Sequence, residues 1–254
     1  MELEGKVAVV IGASRGCGKY FALGLAKAGA AVTVAARTVE PGPLPGTVNE
    51  TAEQIRQEGG KALAVQCDAA NPADLHRTIG EAVFRFGRID VLVYNAAIYT
   101  RRPFLNITQD HFDRYFQVNV RAPMIAAQAA MPHMLQQGGG SIVNITSASS
   151  TKTTMPHLLL YSITKASLDR LTTWLANEYR ERNIAVNSLS PGPVITEALE
   201  QEMPQDFDWQ QERYGWKPAT TEYLGPPIVH LAQQDAGGIT GQILRVPDYG
   251  KTWP

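Results

Sequence analysis

"KVAVVIGASRGCGKYFALGLAK", residues 6–27, decides how this chain folds. After Lys6 the first strand-like run is apolar throughout and rich in valine, with no alternation of polar and apolar positions. Such a run suits a strand buried on both faces of a parallel sheet. Glycines follow at 12, 16 and 18, and over 17–28 apolar residues recur at helical spacing. Strand, glycine-rich turn and helix make the first half of a βαβ unit. Glycine lets the backbone turn tightly and approach a pyrophosphate closely, while the helix N-terminus directs N–H groups and a positive dipole end at the anion. Ordinary strand-to-helix turns also use glycine, so the meaning of this one depends on its surroundings.

Outward from it, short β-rich runs alternate with longer amphipathic ones. Strands are expected at 6–11, 31–35, 62–66, 90–94, 141–146, 184–189 and 242–246, and helices at 17–28, 49–58, 72–86, 108–136, 160–181 and 222–233. This alternation predicts an α/β fold of one doubly wound domain over 1–254: a mostly parallel, seven-stranded Rossmann sheet with helices on both faces. No linker divides the chain; "EPGPLPG" (40–46) is a loop after the second strand. A polar stretch at 197–218, carrying Phe207, Trp209, Tyr214 and Trp216, reads as an excursion that covers a site.

With 44% hydrophobic residues the 254-residue chain has ample core for such a domain. Its formal charge of -1 supplies no basic field for nucleic acid or an anionic membrane. No apolar run reaches membrane-spanning length, and "MELEGK" carries acids where a signal peptide carries bases. The two cysteines, Cys17 and Cys67, have neither disulfide-framework nor metal-ligand spacing. A soluble, cytoplasmic protein with no metal site is expected.

"YSITK" (161–165) sets Tyr161 and Lys165 one turn apart on one helix face. The chain resembles the short-chain dehydrogenase/reductase family in Gly12-x-x-x-Gly16-x-Gly18 after the first strand with Tyr161-x-x-x-Lys165 far downstream, and in four further motifs: "QCDAANPADL" (66–75), "VYNAA" (93–97), "SIVNITS" (141–147) and "SLSPGPVIT" (188–196). The resemblance covers nearly the whole chain. It implies an oxidoreductase that interconverts a ketone and a secondary alcohol, with Asn119, Ser147, Tyr161 and Lys165 as catalytic set. It implies cofactor contacts from Gly12, Ser14, Arg15, Gly16, Cys17, Gly18, Arg37, Asp68, Ala69, Asn95, Ala96, Tyr161, Lys165, Pro191, Gly192, Val194 and Thr196. It also implies a homotetramer, or a homodimer, built through 108–136 and 160–181.

An acid at the end of the second strand favours a ribose 2′-hydroxyl, whereas a guanidinium favours a 2′-phosphate. Ala36 stands at that position, with Arg37 next and Arg15 across the glycine turn. NADP(H) is therefore expected, and Glu40 close behind keeps NAD(H) as the alternative. A free tyrosine titrates near ~10, and an ammonium ~4 Å away at an effective dielectric of ~20 favours the phenolate by roughly 4 kcal/mol. Lys165 is thus expected to bring Tyr161 towards the working range.

Ser147 is expected to hold the substrate oxygen beside Tyr161, and His157 to contact a small-molecule carbonyl or alcohol. Two rival functions share this scaffold: a dinucleotide sensor without turnover, and a reductase of an activated C=C or C=N bond. Tyr94 and Ala97 depart from the family's Asn-Asn-Ala-Gly, and "VPDYG" from its Val-Asp-Gly-Gly; the terminal "KTWP" is expected to reach a neighbouring subunit.

Overall fold

A computed structural model describes residues 1–153, 156–197 and 221–254. The predicted excursion at 197–218 therefore lies outside the described residues, apart from Glu197. Seven strands form: β1 (Val7–Ile11), β2 (Ala31–Ala36), β3 (Lys61–Gln66), β4 (Val91–Tyr94), β5 (Gly140–Ile145), β6 (Ile184–Ser190) and β7 (Ile243–Arg245). Every pairing is parallel, in the order β3-β2-β1-β4-β5-β6-β7. The sheet grows outward from β1 first one way and then the other, so a crevice opens between the carboxyl ends of β1 and β4.

Helices cover both faces: α1 (Gly16–Lys27), α2 (Val48–Gln57), α3 (Pro72–Phe86), α4 (Gln109–Phe116), α5 (Ala122–Gln136), α6 (Leu159–Tyr179) and α7 (Gly225–Ala232). Alternate residues of one strand feed opposite cores. Ala8 and Val10 pack on the side of Phe21, Ile55 and Ile228; Val9 and Ile11 pack on the side of Leu75, Ala126 and Met134. That division is why the strands read as unbroken apolar runs. At the opposite end of the sheet, Asp90 ties β4 to β1. It accepts from the Val7 N–H at 2.9 Å and bridges to Lys6 and Arg88 at 3.1 and 2.6 Å. Those bonds hold its carboxyl below the ordinary range although burial pushes it the other way.

The single helix expected at 108–136 is interrupted. Between α4 and α5, Gln117–Arg121 is π-helical, closed by the Ala122 N–H donating to the Gln117 carbonyl. Two neighbours account for it. Pro123 has no N–H for an α-type bond to the Asn119 carbonyl. The buried Tyr94 hydroxyl donates to the Val118 carbonyl at 2.6 Å. The tail folds back on its own chain. Trp253 packs edge-on against Tyr249 with centroids 4.8 Å apart, and its indole N–H donates to the Arg245 carbonyl at 2.9 Å.

Candidate active site

The glycine-rich turn is pinned to the end of β4. Gly12 has φ 89°, and a Cβ on it would lie 2.5 Å from the Ala96 nitrogen. A Cβ on Gly18 would lie 2.0 Å from the Gly12 carbonyl oxygen, which accepts from the Asn95 side chain at 2.8 Å. Both positions are closed to any side chain. The result is a bare backbone cradle at the mouth of the crevice. The first N–H of α1, on Gly16, donates to Glu197 Oε2 at 3.0 Å. A carboxylate of the chain itself thus sits where a phosphate would be received, which shows that this N-terminus takes an anion. Thr196 lies alongside, its methyl 3.4 Å from where a Gly16 Cβ would be. These residues fit a dinucleotide pyrophosphate.

The remaining sequence-predicted contacts surround the cradle in different ways. The Arg15 guanidinium donates to the Gly46 carbonyl at 2.7 Å, and its Nε is buried without a partner among the described residues. Arg37 is exposed directly after β2, where Ala36 leaves no acid. Ser14 is buried, its carbonyl accepting from Thr51. Asp68 follows β3 and caps its own turn, accepting from the Ala70 N–H at 2.9 Å; Ala69 is buried between them. Pro191 accepts from the Tyr223 hydroxyl, and Gly192 lies against Pro247. The Val194 side chain is in the core, so only its backbone faces outward chemistry. Burial pushes the Cys17 thiol up to about 12, with Glu197 adding to the rise. Both Cys17 and Cys67 are free.

The reacting groups converge beyond the carboxyl end of β5. The Ser147 side chain lies near enough to the Tyr161 phenol to act on its titration. Ser147 Oγ accepts from the Ser149 N–H at 3.3 Å and its hydroxyl at 2.9 Å. Lys165 is 2% exposed; its Nζ donates to the Ile145 carbonyl at 2.6 Å and lies 5.5 Å from the Tyr161 ring centroid. Asn119 accepts from the Ile98 N–H at 2.8 Å and donates to the Ile98 carbonyl and to Thr164 Oγ1 at 3.1 and 3.0 Å. Its amide is fully engaged in tying the segment after β4 to α6, so it shapes the site by position.

The electrostatics differ from the sequence-based expectation. Desolvation raises the Tyr161 phenol above its ordinary range, and the neighbouring Ser147 side chain is the counterweight. Burial lowers Lys165 to about 8, opposed by the Asp169 carboxylate. In a pocket this dry the loss of hydration outweighs the pairing that the sequence argument assumed.

His157 does not join this cluster. It sits at φ 66°, is exposed, and its carbonyl accepts from the Arg102 N–H at 2.8 Å. Its ring makes no hydrogen bond or ring contact with Ser147 or Tyr161 among the described residues. Tyr99 occupies that place instead, edge-on to Tyr161 with centroids 5.0 Å apart and planes at 85°. Its position soon after "YNAA" was the available signal, since residues leaving β4 border the crevice.

Crevice, cradle and buried Tyr–Lys pair define a dinucleotide-dependent oxidoreductase. The sequence profile described as short chain dehydrogenase matches residues 6–206. An uncharacterised oxidoreductase of Methylorubrum extorquens is 37% identical over 96% of both chains. A doubly substituted short-chain dehydrogenase/reductase of Serratia marcescens superposes with TM-score 0.86 at 33% identity, covering 96% of this chain and 97% of that one. A 7α-hydroxysteroid dehydrogenase, solved with NADH and 7-oxo glycochenodeoxycholic acid, superposes with TM-score 0.85 at 28% identity over 96% and 93%. The chain belongs to the short-chain dehydrogenase/reductase family, whose members are oxidoreductases of hydroxyl and carbonyl groups. No helix of the described residues is long and apolar enough to cross a membrane, and no group of three metal-ligating side chains occurs among them.

Proposed function

We propose that this protein interconverts a ketone and a secondary alcohol with NADP(H), using Tyr161 as general acid and base. The observation that carries the reading is the buried Lys165 amine, held by the Ile145 carbonyl 5.5 Å from the Tyr161 ring centroid on the same helix face, with Ser147 beside the phenol. Gly12, Gly16 and Gly18 would hold the pyrophosphate, Arg15 and Arg37 the 2′-phosphate, and Asp68 with Ala69 the adenine. Asn95, Ala96, Pro191, Gly192, Val194 and Thr196 would frame the nicotinamide half. The bound nicotinamide supplies hydride to, or takes it from, the substrate carbon.

The chain's own groups do the rest. Ser147 Oγ, beside Tyr161, holds the substrate oxygen. Tyr161 gives its proton to that oxygen in reduction and takes it back in oxidation. The Lys165 ammonium stabilises the phenolate that remains. Asn119 keeps the Ile98 backbone and Thr164 in place around the pair. The free, burial-deactivated cysteines suit a reducing, cytoplasmic setting, and the single continuous sheet supports one domain over 1–254.

The test follows NADPH absorbance against acetophenone, cyclohexanone and diacetyl, with Tyr161→Phe beside the unsubstituted protein. Turnover of at least one ketone is expected. The phenylalanine variant should lose it by roughly 10²–10⁴-fold or more while NADPH binding stays within about twofold. Ketone reduction by Tyr161→Phe at the unsubstituted rate would remove the assignment.

A further inference from the structure

One buried, unpaired group lies beside the site without a role in the reaction described so far: the carboxylate of Asp169. It lies on α6 four positions beyond Lys165, which is itself four beyond Tyr161, so the three side chains share one stripe of the helix. Asp169 is 5% exposed, and both of its carboxylate oxygens are buried without a hydrogen-bond donor among the described residues.

The layer next below is fully satisfied. Asn144 donates to Thr172 Oγ1 at 2.9 Å, and the Ser188 hydroxyl does the same at 2.9 Å. Thr146 alternates with Asn144 along the chain and so faces α6 as well, and its hydroxyl is another buried atom without a partner among the described residues. The chain therefore leaves one unsatisfied polar level between the Thr172 layer and Lys165.

An ionised carboxylate in such a place loses several kcal/mol of hydration and persists only with a cation to offset the loss. Among the described residues Lys165, one turn back on the same stripe, is the buried cation able to offset it. Nζ spends one donor on the Ile145 carbonyl and feels the Asp169 charge. On the other side of Nζ stands Tyr161, its ring centroid 5.5 Å away, and Tyr161 is in turn acted on by Cys17 on α1, Tyr99 after β4 and Tyr115 on α4. The neutral Asn144, Ser188 and Asn119 are bonded to Thr172 and Thr164 of α6. Among the described residues, Asp169 is the one acid acting on the amine.

We propose that Asp169 is a positioning residue of the proposed reaction: its buried carboxylate keeps the Lys165 amine in its ammonium form, which extends the working range of Tyr161 to alkaline pH. The proposal rests on the reading of Tyr161 and Lys165 given above. The sign follows from the charges. Without the acid, desolvation alone acts on the amine, so it loses its proton at lower pH, and reduction fades earlier as pH rises. At pH 6 the amine is charged with or without Asp169.

Two measurements test this with the full chain. The first follows the ε-carbon of Lys165 by NMR in protein carrying 13C-labelled lysine, the resonance being identified by its loss in Lys165→Met. A midpoint near 8 is expected, lower by about one pH unit in Asp169→Asn, which is a tenfold change in proton affinity. The second is the pH profile of kcat/KM for NADPH-dependent reduction of diacetyl. Asp169→Asn should match the unsubstituted protein at pH 6 and fall short by a factor approaching ~10 above pH 8, with Asp169→Glu restoring much of the alkaline limb. Asp169→Leu, which removes the charge without leaving an amide to satisfy, carries the same expectation should Asp169→Asn fail to fold. An unmoved Lys165 midpoint overturns the proposal, as does a loss of activity equal at every pH, the mark of a merely structural acid. Absence of turnover by the unsubstituted protein counts instead against the proposed function, and the NMR midpoint still decides the role of Asp169.

Discussion

A guanidinium recognises a phosphate by paired, charge-assisted bonds, and it does so best when its own position is fixed. Arg15 is fixed, through its 2.7 Å bond to the Gly46 carbonyl, whereas Arg37 is exposed and free to turn towards the adenosine side of the crevice. Ala36 ends β2 without a carboxylate to repel a 2′-phosphate. The proposed choice of NADP(H) therefore rests on two arginines of unequal freedom. Arg37→Ala should weaken NADPH through loss of about 1.5–3 kcal/mol of charged bonding, roughly 10–150-fold in KM or Kd, and leave NADH nearly unchanged. The ratio of kcat/KM for the two cofactors measures it. An equal loss for both would assign Arg37 to the fold instead of the phosphate.

The π-helical turn between α4 and α5 works as an element. It widens the backbone where Asn119 must reach both the Ile98 backbone and Thr164, and Tyr94 holds it by one bond from the sheet. Tyr94→Phe keeps the ring and removes that bond, leaving the Val118 carbonyl buried without it. A cost of about 1–3 kcal/mol is expected, or a fall of roughly 2–10 °C in Tm, with lower kcat if Asn119 moves. Thermal unfolding by circular dichroism reads the first, and an unchanged Tm would show that the turn stands without Tyr94. In the sequence Tyr94 is only a departure from the family's asparagine, because nothing in a strand pattern tells which carbonyl a phenol will find across the core. The seven strands were legible to within a residue or two, the central five because burial on both faces leaves continuous apolar runs. Tyr161 and Lys165 were legible by their spacing and Ser147 by the family resemblance, and the structure brings the three near one another. Their titration was not, because it is set by desolvation, a property of the assembled core. Tyr99 and Asp169 escaped notice for a related reason: their roles depend on the elements packed around them, not on any local motif.

At the scale of the molecule, the helices over the Met131 and Met134 core present an unfinished outer face. Met124 on α5 and Leu159, Ile163 and Trp174 on α6 are all at least 40% exposed, unlike the buried stripe beneath them. A helix that buries one face and leaves large apolar side chains on the other offers a surface for association. With a formal charge of -1, copies of the chain meet little mutual repulsion. We therefore propose self-association through α5 and α6, most economically as the homotetramer that the family resemblance implies, with a homodimer as its half. Light scattering behind size exclusion should give about four times the 27.7 kDa of one chain, or twice for the homodimer. Ile163→Glu combined with Trp174→Glu would set acids of two copies against each other in a desolvated contact, at a cost of several kcal/mol per pair. The doubled variant should run at the mass of a single chain while its circular dichroism stays that of the folded protein, because both side chains lie outside the core. An unsubstituted protein that runs as one chain removes the association, and a doubled variant that keeps the full mass moves the interface to another face.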